Sequence, residues 1–379
     1  LTNLARGQAP TTTEDPEMQI GIAQLAQRYG YGDMPEAQVY DEEVRSAILA
    51  DELGYDQVGM VEHHFEDYAA CPDNFVYLAH LAPKTKRIKL MTGAVIVPWN
   101  IQPLRVAEKA ALLDMLCGGR LILGLGRGLA RREYDQFGIP MGESRGRYDE
   151  AVPMILDALE TGVMKAHEGT YFKQPEAPLR PRPTRSFKGR TMQVAMSGDS
   201  IQEAAKLGLK MLQFSYKDPA THRDEVRAYA QAFREHHKAA PPIPFFIDFM
   251  VCDENADRAQ ENAVKYVRTY LMSLITHYEM MGDHFPQGYE EYGQNAKALA
   301  GAGLEAIAEA YVAGQTWGTP QQILEKVEAR RQTIGDYDAM YVVRFAGAPY
   351  EVVERSLRTF ATKVMPELKS WKIPTHMAA

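Results

Sequence analysis

The sequence predicts an α/β protein built as one closed (β/α)8 barrel with insertions. Three observations point there. Short apolar runs alternate with helix-spaced segments from Met18 to Trp371, eight such runs can be counted, and neither an internal repeat nor a linker divides the 379 residues. Alternation of this kind implies parallel strands, because parallel neighbours need a crossover of about a dozen residues or more, usually a helix. Two domains is the simple expectation for the length, but barrels run to about 250 residues and beyond as one unit.

The elements follow in order. Residues 1–17, with the run Thr11-Thr12-Thr13 and two prolines, read as a flexible extension. The first strand is Met18 to Ala23. Val39 to Leu53 has helical spacing and stops at Gly54, a residue suited to the left-handed end of a helix. Asp56 to Val61 is the second strand, Asn74 to Ala82 is a helix closed by Pro83, and Ile88 to Val97 is a β-branched third strand ending at Pro98. Pro103 to Cys117 carries proline at its start and Gly118-Gly119 at its end, the usual asymmetry of a helix. Leu121 to Leu125 is the fourth strand. Ser144 to Glu160 is helical, and an irregular, basic, proline-rich stretch then runs to Arg190. Met192 to Met196, Lys210 to Phe214, Pro244 to Val251 and Ala339 to Val343 are the remaining strands. Their helices are Ser200 to Leu207, Ala220 to His237, Asp257 to about Met281, Thr319 to Thr333 and Tyr350 to Trp371. Residues 372–379 form a tail.

Composition excludes several classes. Lys+Arg 42 against Asp+Glu 50 leaves a net charge of −8, which argues against a nucleic-acid partner. No apolar run approaches the roughly 20 residues of a membrane span, and the polar N-terminus lacks the apolar segment of a signal peptide. Cys71, Cys117 and Cys252 are widely spaced and form no C-x-x-C, which suits a reducing cytoplasm and no structural zinc.

In a barrel the reacting groups stand just beyond the C-terminal ends of the strands. Strand two is followed by Glu62-His63-His64-Phe65, strand three by Pro98-Trp99-Asn100, strand four by Gly126-Arg127-Gly128 and strand five by Ser197-Gly198-Asp199-Ser200. Adjacent residues on an extended chain point to opposite faces, so His63 and His64 do not converge on one metal ion. With no further His or Cys cluster nearby in sequence, no metal is expected. Imidazole titrates near neutral pH, so one of the two facing the barrel mouth would serve as acid, base or hydrogen-bond donor. Gly124-Leu125-Gly126-Arg127-Gly128 does not fit a dinucleotide fingerprint, since its third glycine comes too early. Its glycines allow close backbone approach and Arg127 offers donors to an oxyanion. Ser197 to Ser200 opens a helix, whose free N–H groups and dipole favour phosphate. Two anion-friendly loops after consecutive strands point to a phosphate site. The basic run Arg180, Arg182, Arg185, Lys188 and Arg190 reads as a solvated loop.

At these residues the chain resembles the bacterial luciferase-like flavin monooxygenases, from Met18 to Trp371. The likeness rests on Glu62-His63-His64-Phe65, on Leu112-Leu113-Asp114 through Gly119-Arg120-Leu121, and on Gly124-Leu125-Gly126-Arg127-Gly128. Phe137-Gly138, Ser144-Arg145 and Val364-Met365-Pro366-Glu367-Leu368 add to it. The resemblance implies a luciferase-like TIM barrel in which His63 is catalytic. It implies that Arg127, Ser197 and Ser200, together with Arg145 or Arg147, hold the phosphate of FMN, with Met196 and Gly198 beside them. Gly93-Ala94 matches the family's non-prolyl cis peptide next to the isoalloxazine. Met196 replaces an acidic residue of the luciferases and Gly126 replaces their reactive cysteine, which argues against light emission and a long-chain aldehyde substrate.

The activity so implied is insertion of one oxygen atom from O2 into a small organic substrate, through a peroxide at C4a of reduced FMN. A separate NAD(P)H:flavin reductase would supply FMNH2, since no NAD(P)H fingerprint is evident. A homodimer is expected, with no nucleic acid and no membrane. Met60, Phe65, Trp99 and Phe214 are candidate apolar walls. His277 to Thr316, with Gly282, Gly288, Gly293, Gly301 and Gly303 among its glycines and several aromatics, is expected to be a mobile lid. The alternatives are an F420-dependent oxidoreductase of the same fold, a non-catalytic flavin-binding subunit and a metal-dependent barrel hydrolase.

Overall fold

The computed structural model describes residues 17–282, 284–286, 288–294, 301 and 303–371. Most of the expected N-terminal extension, the C-terminal tail and parts of the expected lid lie outside the described residues.

Eight parallel strands close on themselves. They are β1 (Ile20–Gln24), β2 (Gln57–Met60), β3 (Lys89–Thr92), β4 (Leu121–Gly126), β5 (Thr191–Val194), β6 (Lys210–Phe214), β7 (Phe245–Cys252) and β8 (Asp338–Val342). Each pairs with its neighbours in chain order. The ring passes through Met192 opposite Gly124 and closes where Gly21 lies opposite Met340. Every residue of β1, β4, β7 and β8 is buried, as expected of strands covered on both faces. Helices α1 (Glu36–Leu53), α2 (Asn74–Leu81) and α3 (Pro103–Leu116) cover the first strands. α1 ends at Gly54 with φ 93°, the left-handed geometry glycine accepts most readily. Asp73 caps α2 by accepting the N–H groups of Phe75 and Val76.

Several boundaries differ from the sequence reading. The third strand is not continuous to Val97: the Gly93–Ala94 peptide is cis, Val95–Ile96 then pairs with Leu125–Gly126, and Val97–Trp99 is a 3-10 turn. β-branched residues continue across this bend, so apolar periodicity does not reveal it. The last helix is two, Tyr350–Lys363 and Met365–Ser370, with Pro366 seated in the first turn of the second. The helix after β7 is Ala256–His277 and stops before Met281. The stretch read as irregular holds two small antiparallel ladders, Val163–Met164 with Ala177–Pro178 and His167–Glu168 with Lys173–Gln174. Helices Arg131–Phe137 and Leu304–Gly314, and the strand Thr316–Gly318 paired with the end of β7, were not anticipated.

Candidate active site

The end of β2 is anchored first. Glu62 is buried and accepts Trp99 Nε1–H at 2.7 Å and the Ile96 N–H at 3.2 Å, tying this loop to the turn after β3. His63 then lies between two partners. Its Nδ1 is 3.0 Å from Glu133 Oε1 and its Nε2 is 3.2 Å from the Tyr278 hydroxyl. Glu133 Oε1 also accepts the His64 N–H at 2.7 Å. Burial pushes the Glu133 carboxyl up. The His63 imidazole with its hydrogen bond, His277 and the His64 N–H outweigh burial and hold it below the ordinary glutamate value. An ionised carboxylate only accepts, so Nδ1 carries the proton and Nε2 accepts from Tyr278. His63 is thus fixed in one tautomer, with Nε2 as its acceptor nitrogen.

A third ring completes the cluster. His277 stacks on Tyr68 with centroids 4.2 Å apart and meets His63 edge-on at 4.9 Å. Its Nδ1 is 2.8 Å from Glu66 Oε2. Burial first, then the neighbouring His63, lowers its pKa to about 3. The ligand atoms of His63, Glu133 and His277 lie within 4.8 Å of one another, a grouping that could hold a metal ion. The sequence reading found no such set, because His277 is far along the chain and Glu133 sits on a helix of 7 residues, too short for a periodic signal.

The two loops expected to favour an anion also converge. Arg127 follows β4, donates to Gly288 O at 2.8 Å and lies 4.0 Å over the Tyr289 ring. Tyr289 OH donates onward to Gly128 O or Ser144 Oγ, at 2.8 and 2.9 Å. Ser197 caps the helix Gly198–Lys206: its N–H donates to Ser200 Oγ at 3.0 Å, and Ser200 Oγ donates to Ser197 O at 2.8 Å. That helix begins two residues earlier than expected, with Ser197 as the cap. Lys217 donates to Met196 O at 3.0 Å. The same loop that meets Arg127 reaches this helix, where Glu291 accepts the Gly198 N–H at 3.1 Å.

Of the two candidate second arginines, only Arg145 faces this corner. Both Arg127 and Arg145 act electrostatically on Tyr148 and on Tyr292, and Arg145 Nη2 is buried with no partner among the described residues. Arg147 is turned to Glu143, at 3.0 and 2.8 Å, and to the Tyr171 ring. The cis Gly93–Ala94 peptide lies between the two halves of the site. Ala94 O accepts Asn74 Nδ2–H at 3.0 Å, and a Cβ added to Gly126 would stand 3.3 Å from Ala94 Cβ. Of the wall candidates, Met60 and Trp99 are buried, Phe214 is half-buried and Phe65 is 63% exposed, so Phe65 does not line an interior.

The closed parallel barrel thus carries a carboxylate-held imidazole after β2 and Arg127 after β4, and the loop that meets Arg127 also reaches the start of the helix Gly198–Lys206. The chain belongs to the luciferase-like monooxygenase family, which it matches over residues 7–337, and it is a flavin-dependent monooxygenase by class. It is 26% identical over 341 residues to the alkanal monooxygenase alpha chain of Photobacterium leiognathi, covering 88% of this chain and 94% of that one. It is 32% identical over 149 residues to the oxygenase component of the flavin-dependent trigonelline monooxygenase of Acinetobacter baylyi, 38% of this chain and 40% of that one. Among solved structures, monooxygenase RslO1 from Streptomyces bottropensis superposes with a TM-score of 0.73 at 26% identity, over 92% of this chain and 99% of that one.

Proposed function

We propose that the chain is the oxygenase component of a two-component system, taking FMN reduced by a separate NAD(P)H:flavin reductase and transferring one atom of O2 to a small organic substrate. The observation that carries the choice of FMN is Arg145 Nη2, buried and unpartnered beside Arg127 and the capped helix at Ser197. A buried donor without an acceptor costs on the order of 1–3 kcal/mol, and a phosphate oxygen relieves it. Arg127 and Arg145 would neutralise the phosphate, while the Ser197 and Ser200 hydroxyls and the Gly198 N–H would donate hydrogen bonds to its oxygens, as groups at helix N-termini do. Gly93-Ala94 and Met196 would border the ring.

Reduced FMN, when bound, supplies the electrons that activate O2. The chain's residues do the rest. His63 holds or releases a proton at Nε2, with Glu133 fixing its tautomer and Tyr278 its orientation. Trp99 and Met60 keep the strand ends dry, since stray water would divert oxygen to hydrogen peroxide. Among the described residues no helix is long and apolar enough to cross a membrane. Cys71, Cys117 and Cys252 are buried and unpaired, which favours the cytoplasm. The exposed apolar residues Val76 on α2 and Leu112, Met115 and Leu116 on α3, with Ile101 before it, favour pairing of two copies through these helices.

The test is cofactor titration followed by oxygen. FMN should bind tenfold or more tighter than riboflavin, and mixing the anaerobic reduced complex with O2 should give a transient flavin spectrum unlike the oxidised or reduced forms. Tight binding of F420 with hydride transfer and no oxygen uptake would replace this reading with its rival of the same fold.

A further inference from the structure

The cluster around His63 contains more polar capacity than proton handling uses. That role engages Glu133 Oε1 and both His63 nitrogens. It leaves Glu133 Oε2 and His277 Nε2, both on side chains no more than 2% exposed and both without a partner among the described residues. Two buried acceptors without donors, on neighbouring side chains, each carry a desolvation cost that a shared cation would relieve.

The state of His277 follows from what stands behind it. Its Nδ1 faces Glu66 Oε2 at 2.8 Å, and Glu66 in turn accepts from Arg132 Nη1. A carboxylate held by an arginine only accepts, so Nδ1 carries the proton and Nε2 presents a lone pair. A carboxylate behind an imidazole is how proteins orient metal-binding histidines and raise their basicity. Tyr68, stacked on the ring, prevents it from turning away.

We propose that His63, Glu133 and His277 form a binding site for a divalent transition-metal ion, Zn2+ foremost. Two imidazoles and one carboxylate are the mixed donor set that Zn2+, Co2+ and Ni2+ accept, whereas Ca2+ and Mg2+ require oxygen ligands. Three protein ligands leave the fourth tetrahedral position to water. Tetrahedral bonds of about 2.0 Å put ligand atoms roughly 3.3 Å apart. His63 Nδ1 stands 3.0 Å from Glu133 Oε1, whose sister oxygen Oε2 is the unpartnered one, and no separation within the set exceeds 4.8 Å, so rotation of the carboxylate and rings closes the shell. The ion takes His63 Nδ1, the imidazole keeps its proton on Nε2, and Nε2 then donates to the Tyr278 hydroxyl instead of accepting from it. The ion therefore withdraws His63 from proton exchange and inhibits the oxygenase, a consequence that rests on the function proposed above, while the binding site does not.

The test uses the full-length chain, stripped with a chelator and free of flavin. Titration with Zn2+ against a chromogenic competitor should show one ion per chain in the wild type. His277→Ala should weaken it at least a hundredfold and Glu66→Gln about tenfold to a hundredfold. Co2+ should give the intense visible absorption of a tetrahedral site in the wild type, which reads the geometry without relying on a variant. Absence of stoichiometric binding, unchanged affinity in folded His277→Ala, or an octahedral Co2+ spectrum would overturn the site. Stoichiometric Zn2+ with undiminished flavin-dependent oxygenation would overturn the inhibition. A chain that fails to bind FMN leaves the metal result standing.

Discussion

Glu291 Oε2 accepts the backbone N–H of Gly198 at 3.1 Å, so a carboxylate sits at the start of the helix Gly198–Lys206. Its other oxygen is 3.0 Å from Lys217 Nζ. Here the chain's own anion meets donors that suit a phosphate. Removing its charge should favour the cofactor. Glu291→Gln is expected to tighten FMN binding a few-fold, as expected for one partly exposed charge at a helix end, and to leave riboflavin binding unchanged. Fluorescence titration of both flavins decides it; weaker FMN binding in the variant would make Glu291 a cofactor contact instead.

Arg127→Ala and Arg145→Ala should each cost FMN affinity about tenfold to a hundredfold, the loss of one charge-assisted hydrogen bond of about 1.5–3 kcal/mol. Ser197→Ala should cost less, and riboflavin should be affected much less throughout. Arg147→Ala should match the wild type, because Arg147 is committed to Glu143. Equal losses for FMN and riboflavin would move the phosphate elsewhere.

The barrel and much of its mouth were legible because they rest on signals local in sequence: strand–helix alternation, glycine and proline at helix ends, and the strand-end rule that singled out His63, Arg127 and Ser197. The choice between Arg145 and Arg147 was not legible. Two residues apart on one helix point in different directions, and only the position of Glu143 and Tyr171 shows which arginine turns away. The partners of His63 were invisible for a different reason. Glu133, Tyr278 and His277 reach it from a 7-residue helix and from the end of the helix Ala256–His277, so nothing in sequence spacing relates them.

His63→Ala is expected to keep reduced-FMN affinity within a few-fold of wild type while raising the fraction of oxygen released as hydrogen peroxide. Glu133→Gln should move the same ratio less, because the amide keeps the His64 N–H bond but no longer enforces the tautomer. Peroxide released per flavin oxidised, measured with a turned-over substrate, reads both. Loss of FMN binding with an unchanged ratio would reassign His63 to cofactor binding.

The last expectation concerns stability and a buried glutamate far from the mouth. Glu43 is 1% exposed and accepts the Ala26 N–H at 2.9 Å, while the guanidinium of Arg344 stands 3.8 Å away and pairs more closely with Glu42 at 2.9 Å. Burial raises the Glu43 carboxyl from its ordinary 4.5 to about 7, against the opposing pull of Arg344 and the backbone N–H groups. In the unfolded chain the group returns to its ordinary value. Between the two values the folded state therefore holds a proton that the unfolded state has released. That contribution is complete below about pH 4.5, declines as pH rises, and is gone above about pH 7. Glu43→Gln keeps an acceptor for Ala26 and has no proton to lose. Its stability relative to wild type should therefore improve steadily as pH rises from about 4.5 to 7, by a few kcal/mol at the limit. Urea unfolding of both proteins across this range measures the difference directly. A difference that stays flat with pH would show that Glu43 is ionised throughout and that Arg344 holds it so.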